Sequence, residues 1–175
     1  EIYKKFKSHF KFILAKLFSS AKKLGKLPHS MYYGVITQIY KGKGERNQRS
    51  NWRPITLLNV DYKILSKILF NRLKVAAKEL VNKDQTCGIP GRDIRQGIFS
   101  IFCAIDMIKS SNQSGILMSV DQKNAFDVID WVFFIKTLKS VGIPDFFIEW
   151  IEIIYLKNSI KSSVSVNGFL SEFFN

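Results

Sequence analysis

Acidic residues are scarce in this chain. Fourteen Asp and Glu stand against 27 Lys and Arg in 175 residues, giving a formal net charge of +13 and a pI near 9.8. Such an excess favours a polyanionic partner, because each cation set on a phosphate releases condensed counterions. Nucleic acid ranks first and an anionic membrane surface second. Cysteine is also sparse. Cys87 and Cys103 have no His or Cys nearby at zinc-finger spacing, so the expectation is two reduced thiols in a core. No apolar run approaches the roughly 18 residues of a membrane span, and the N-terminus alternates Lys with Phe where a signal peptide would carry an unbroken apolar block. A soluble, intracellular protein is expected. There is no internal repeat and no low-complexity linker, and no two acidic residues are adjacent anywhere. The sequence opens at Glu1 without Met and closes at Asn175 in an apolar stretch, which suggests a piece of something longer.

Apolar residues, by contrast, are plentiful. At 46% hydrophobic and 14% aromatic, the chain can form one ordinary domain or two small lobes sharing a core. Ile2, Phe6, Phe10, Ile13, Leu14, Leu17 and Leu24 recur at helical steps with Lys between them, and Gly25 is a natural stop. This basic amphipathic helix suits packing on a neighbouring lobe better than lying on a membrane. Tyr33 to Tyr40 is rich in β-branched and aromatic residues and runs into Lys41-Gly42-Lys43-Gly44, so a strand and a flexible turn are predicted. Trp52 to Leu58 can return as its partner, with Pro54 placing that return at an edge.

From Asp61 to about Leu80, Ile64, Leu65, Ile68, Leu69, Leu73, Ala76 and Leu80 share one side at about 100° per residue, while Lys63, Lys67, Lys74 and Lys78 cluster on the other. Arg72 projects near the middle of the apolar side, where it must snorkel, pair with an acid or face a ligand. Gln85 to Gly91 is turn-like, and Ile94, Ile98, Ile101, Phe102, Ile105 and Ile108 predict the next helix. Gly115 to Val120 is expected to be a buried strand ending in Asp121. Helices from about Asp127 to Val141 and after Pro144 follow, the latter with Phe147, Trp150, Ile151 and Ile154 inward. Last, an alternating run from Ile160 to Val166 meets Asn167-Gly168, the strongest short hairpin signal.

Several residues here are suited to chemistry. Asp121, at a strand end with small and polar residues after it, is placed to offer a hard oxygen ligand to Mg²⁺; a solvated turn residue is the alternative. Asp127 and Asp130 share a helical face, yet both fall in a first turn, where capping is their preferred role. Phe126 suits core packing and ligand contact equally. Lys41 and Arg53 lie across the predicted hairpin and can converge on one anion, or stand as solvated charges.

The runs LPHSMYYGVITQIYKGKG, NWRPITLLNVDYKILSKILFNRL, DQTCGIPGR and GILMSVDQKNAFDVIDWVFF, in this order and spacing, resemble the reverse transcriptase of non-LTR (LINE-type) retrotransposons from about Leu27 to Phe174. The resemblance implies that Asp121 is the first metal-binding aspartate of the palm, which with the backbone carbonyl of Gln122 would hold two catalytic Mg²⁺ ions. Phe126 would exclude a ribose 2′-hydroxyl, and Lys41 and Arg53 would grip the incoming triphosphate. Gln85, Gly91 and Arg92 match the QxxxxPGR block along the template path, Arg92 being the one expected to touch phosphate. The face carrying Lys63 and Lys67 is a further candidate template track.

Two departures stand out. Gly88 occupies a place where many relatives carry Phe, and Gln96-Gly97 stands where an Asp-Asn pair is common. The family's later strand turn with two adjacent aspartates has no counterpart here. The implied whole is an α/β (α+β) fragment of a right-handed polymerase: an N-terminal basic helix over 1–26, fingers over 27–112 and a partial palm over 113–175. Its activity would be RNA-directed DNA synthesis on an RNA template with a DNA primer and deoxynucleoside triphosphates. These residues alone are expected to be inactive, because one aspartate cannot fix two divalent ions. The alternative is a non-catalytic nucleic-acid-binding transposon relic or maturase-like scaffold. Nucleus and cytoplasm are the implied locations, with no stable membrane association.

Overall fold

Closely spaced Tyr, Val, Ile and Thr hold Tyr33–Tyr40 extended, and this strand, β1, is the one on which the sheet is built. The structure is a computed structural model and describes residues 2–112, 114–122, 125, 128–156 and 160–174. Within it, β2 (Trp52–Leu58) runs antiparallel to β1, from Gly34 opposite Leu58 to Tyr40 opposite Trp52. On the other side β3 (Lys161–Val166) runs parallel to β1, from Tyr33 opposite Lys161 to Thr37 opposite Ser165. The short β4 (Phe169–Leu170) completes the order β2-β1-β3-β4. Pro54 has no N–H to donate and lies on the edge strand, as expected. Asn167 (φ 50°) and Gly168 (φ 86°) both adopt the left-handed conformation, as a two-residue hairpin turn requires. Gly34 is needed for a different reason: a Cβ there would meet the Thr56 methyl at 2.8 Å.

The chain divides into two units. Glu1–Lys67 with Ile135–Asn175 make the first, and Ile68–Phe134 the second.

The first unit holds the whole sheet. The basic N-terminal segment is helical in two pieces, α1 (Ile2–Lys5) and α2 (Lys7–Leu24), interrupted at Phe6 and closed by Gly25 at φ 65°. Helix α3 (Val60–Leu80) enters here and continues past Lys67 into the second unit. Helix α5 (Trp131–Ser140) leads by Gly142 into α6 (Asp145–Tyr155). The core centres on α6, where Phe147, Ile148, Trp150, Ile151, Ile153 and Ile154 are all buried. Ile153 is the most enclosed at 1% exposure. Ala21, Leu27, Met31, Leu65, Ile135 and Leu138 are buried in the same unit. Lys22 ties α2 to α6, pairing with Glu149 at 3.2 Å and donating to the Phe146 carbonyl at 3.3 Å. Ser163 is fully buried in β3, with its hydroxyl on the Ser171 carbonyl at 2.8 Å.

The second unit carries α4 (Ile94–Ser110). Asp93 caps it by accepting from the Arg95 N–H at 2.9 Å, and Gln96 completes the capping box. The Arg95 side chain holds the Asp93 carboxyl below its usual range. Asp130 caps α5 by accepting from the Phe133 N–H at 2.6 Å, which is the role expected of it; Asp127 lies outside the described residues.

Two expectations fail in this unit. The run Gly115 to Val120 forms no strand and is exposed, Ile116 at 98%. An extended segment holds its shape only when its N–H and C=O groups enter a ladder. Among the described residues none pairs with it, either in a strand or as an isolated bridge. The cysteines are also not core thiols: Cys87 and Cys103 are free and exposed. Cys103 sits on α4, whose apolar residues Ile94, Ile98, Phe99 and Phe102 are themselves exposed. Arg72 is exposed too, so no burial cost arises there. Among the described residues no helix is long and apolar enough to cross a membrane.

Candidate nucleotide and nucleic-acid interface

The β1–β2 hairpin has a long tip, residues 41–51, that folds on its own polar groups. Tyr40 donates its hydroxyl to the Gly44 carbonyl. The Asn51 amide donates to the Glu45 carbonyl at 2.8 Å and the Trp52 indole to the Arg46 carbonyl at 2.8 Å. Arg46 in turn lies over the Tyr40 ring at 5.2 Å, and the rings of Tyr40 and Trp52 are 5.4 Å apart. Gly42 and Gly44, at φ 75° and 78°, supply two left-handed positions where the loop doubles back.

This frame sets the two cations. Arg53 pairs with Ile39, and the Lys41 N–H continues the ladder to the Asn51 carbonyl at 2.8 Å. Residues two apart on a strand share a face, so Lys41 and Arg53 are diagonal neighbours on one side of the hairpin. Both are exposed. Lys41 currently donates its amine to the Ser50 carbonyl at 2.5 Å. Beside the hairpin, an open cleft of about 850 Å³ is lined by Gln38, Arg49, Trp52, Val164 and Asn167 among others. Sequence reasoning missed Gln38 and Arg49 because the cleft exists only through the parallel β1–β3 pairing, which local pattern does not announce.

Lys63 and Lys67 are exposed on α3. In the second unit, the Gln85–Arg92 block is brought together. Its Ile89 to Arg92 part is a turn closed by the Arg92 N–H on the Ile89 carbonyl at 3.2 Å, with Pro90 second and Gly91 third at φ 77°. Pro then left-handed Gly is the type II arrangement. Gln85 is exposed, and its carbonyl receives the Arg92 guanidinium at 2.8 Å. Asp121 and Gln122 are exposed on the irregular segment described above; Phe126 lies outside the described residues. Among those described, no group of three or more His, Cys, Asp or Glu is arranged to hold a metal ion.

A basic hairpin with paired cations, a sheet of mixed direction and a Pro-Gly-Arg turn are parts suited to handling nucleotides and nucleic acid. Residues 40–173 match the family described as reverse transcriptase (RNA-dependent DNA polymerase), and the chain belongs to that family. Its mixed α/β fold agrees with a segment of such a domain. The chain is also similar to the "Transposon TX1 uncharacterized 149 kDa protein" of Xenopus laevis, with 32% identity over 156 residues. That match covers 89% of this chain but 12% of the relative, so the chain spans a small part of the relative's length.

Proposed function

We propose that this chain supplies the fingers and the opening part of the palm of an RNA-directed DNA polymerase, with fingers over 27–112 and palm from 113 onward. The observation that carries the reading is the shared face of Lys41 and Arg53 on a hairpin whose tip and second strand fall within the family match. Two cations at diagonal positions can meet one triphosphate, and stabilising its charge is most of what phosphoryl-transfer catalysis asks of a protein. The primer 3′-hydroxyl would attack the α-phosphate of a deoxynucleoside triphosphate and pyrophosphate would leave. The exposed lysines of α3, with Lys63 and Lys67 foremost, and the Gln85–Arg92 block would face the RNA template, held mainly through phosphates.

Reverse transcriptases work with divalent metal, and Mg²⁺ is the ion proposed here; when bound it would neutralise charge on the phosphates and favour the ionised primer hydroxyl. Asp121 and the Gln122 carbonyl do not make such a site alone, since Mg²⁺ demands a near-octahedral oxygen shell. They would supply part of it, with further carboxylates and the substrate supplying the rest. Phe126 keeps its proposed role in sugar selection.

The test is Asp121→Asn in the full-length protein that contains this chain. Primer extension should disappear while RNA affinity stays within about twofold, because one lost acid leaves the cationic contacts intact. Persisting extension would remove the metal role from Asp121.

A further inference from the structure

Helix α3 ends without the usual device. Its last carbonyls are not met by a left-handed glycine, and neither Val81 nor Asn82 adopts a positive φ. Arg92, eleven residues beyond Val81, fills the gap. One terminal nitrogen, Nη2, donates to the Lys78 carbonyl at 2.9 Å and the Val81 carbonyl at 2.9 Å. The other, Nη1, donates to the Gln85 carbonyl at 2.8 Å and to the Asn82 carbonyl. A guanidinium carries two N–H on each terminal nitrogen and one on Nε. All four terminal donors are therefore engaged, and only Nε remains. The charge also sits where it complements the negative end of the helix dipole. A phosphate ligand needs the fork of donors that this arrangement uses up.

We propose that Arg92 is a positioning residue: it fastens the 81–92 loop onto the end of α3 and fixes the backbone that carries Gln85 and Gly91, without itself binding phosphate. The clamp stands on geometry inside the second unit; its effect on template rests on the proposed polymerase reading. Lysine cannot substitute, since an ammonium has three donors on one point and cannot span four separated carbonyls.

The experiment compares the wild-type chain with Arg92→Lys, Arg92→Gln and, as a reference, Lys63→Gln. Amide hydrogen exchange is read at Val81, Asp84, Gln85 and Arg92, and affinity for single-stranded oligouridine is read against salt. In both Arg92 variants these amides should exchange about tenfold faster or more, the factor set by one charge-assisted hydrogen bond. RNA affinity should fall several-fold in both, with the salt slope unchanged, whereas Lys63→Gln should lower the slope by about 0.7. Unchanged exchange, unchanged affinity, or a slope that drops in Arg92→Gln and recovers in Arg92→Lys would each overturn the proposal. Wild-type chain lacking any salt-dependent RNA affinity would sink the polymerase reading instead, and the exchange measurement would still decide the clamp.

Discussion

Replacing Lys41 by Met removes one finger cation and keeps the side chain's length. The structure sets the expected size of the effect, because the amine is not idle: it rests on the Ser50 carbonyl at 2.5 Å. A bound triphosphate must draw it away. A bond from an ammonium to a neutral carbonyl is already charge-assisted and sits at the low end of about 1.5–3 kcal/mol, while one between two ions sits at the high end. The transfer therefore gains only the difference, about 1–1.5 kcal/mol, or near tenfold in nucleotide affinity. Nucleotide KM in primer extension by the full-length protein should rise by about that factor in Lys41→Met. Arg53→Gln should act on the same parameter, and the double variant should fall short of the product of the singles, since diagonal neighbours on one ligand are coupled. A KM within about twofold of wild type would refute the shared-face argument. Strict multiplicativity of the two effects would do the same.

Ile153→Ala should destabilise the first unit by about 2–5 kcal/mol, the cost of truncating a fully enclosed aliphatic side chain, and urea denaturation followed by circular dichroism checks it; a change below about 1 kcal/mol would mean the α6 core is looser than described. Tyr62 offers a pH test. Burial, with Tyr155 adding to it, raises its phenol above the ordinary value of 10.0. The native state thus keeps a proton that the unfolded chain releases, so this contribution is intact below pH 10 and is lost as pH climbs through the raised value. Tyr62→Phe should flatten the alkaline fall in stability, and an unaltered alkaline limb would show that Tyr62 is not its source.

Much of this architecture was legible because it is local. The 3.6-residue spacing from Asp61 to Leu80, the alternation leading to Asn167-Gly168 and the edge position implied by Pro54 each depend on neighbours in sequence, and each stands as expected. The diagonal placement of Lys41 and Arg53 followed from the hairpin alone. What escaped was set by distant parts of the chain. Nothing near Tyr33 announces that Lys161 will lie beside it in parallel. The apolar run from Ile116 has every mark of a buried strand, but pattern cannot supply the partner that burial needs. Arg92 was expected on phosphate by resemblance, since no periodicity reveals that four carbonyls between Lys78 and Gln85 converge on one guanidinium.

The placement of β1 between β2 and β3 has a consequence for biosynthesis. Its hairpin partner follows across the 41–51 tip, but its other flank stays bare until Lys161–Val166 has been translated. A nascent chain stalled before that point presents an open row of donors and acceptors, the kind of template on which chains stick to one another. Chaperone demand during synthesis should therefore peak late, after the hairpin has closed and before the third strand arrives.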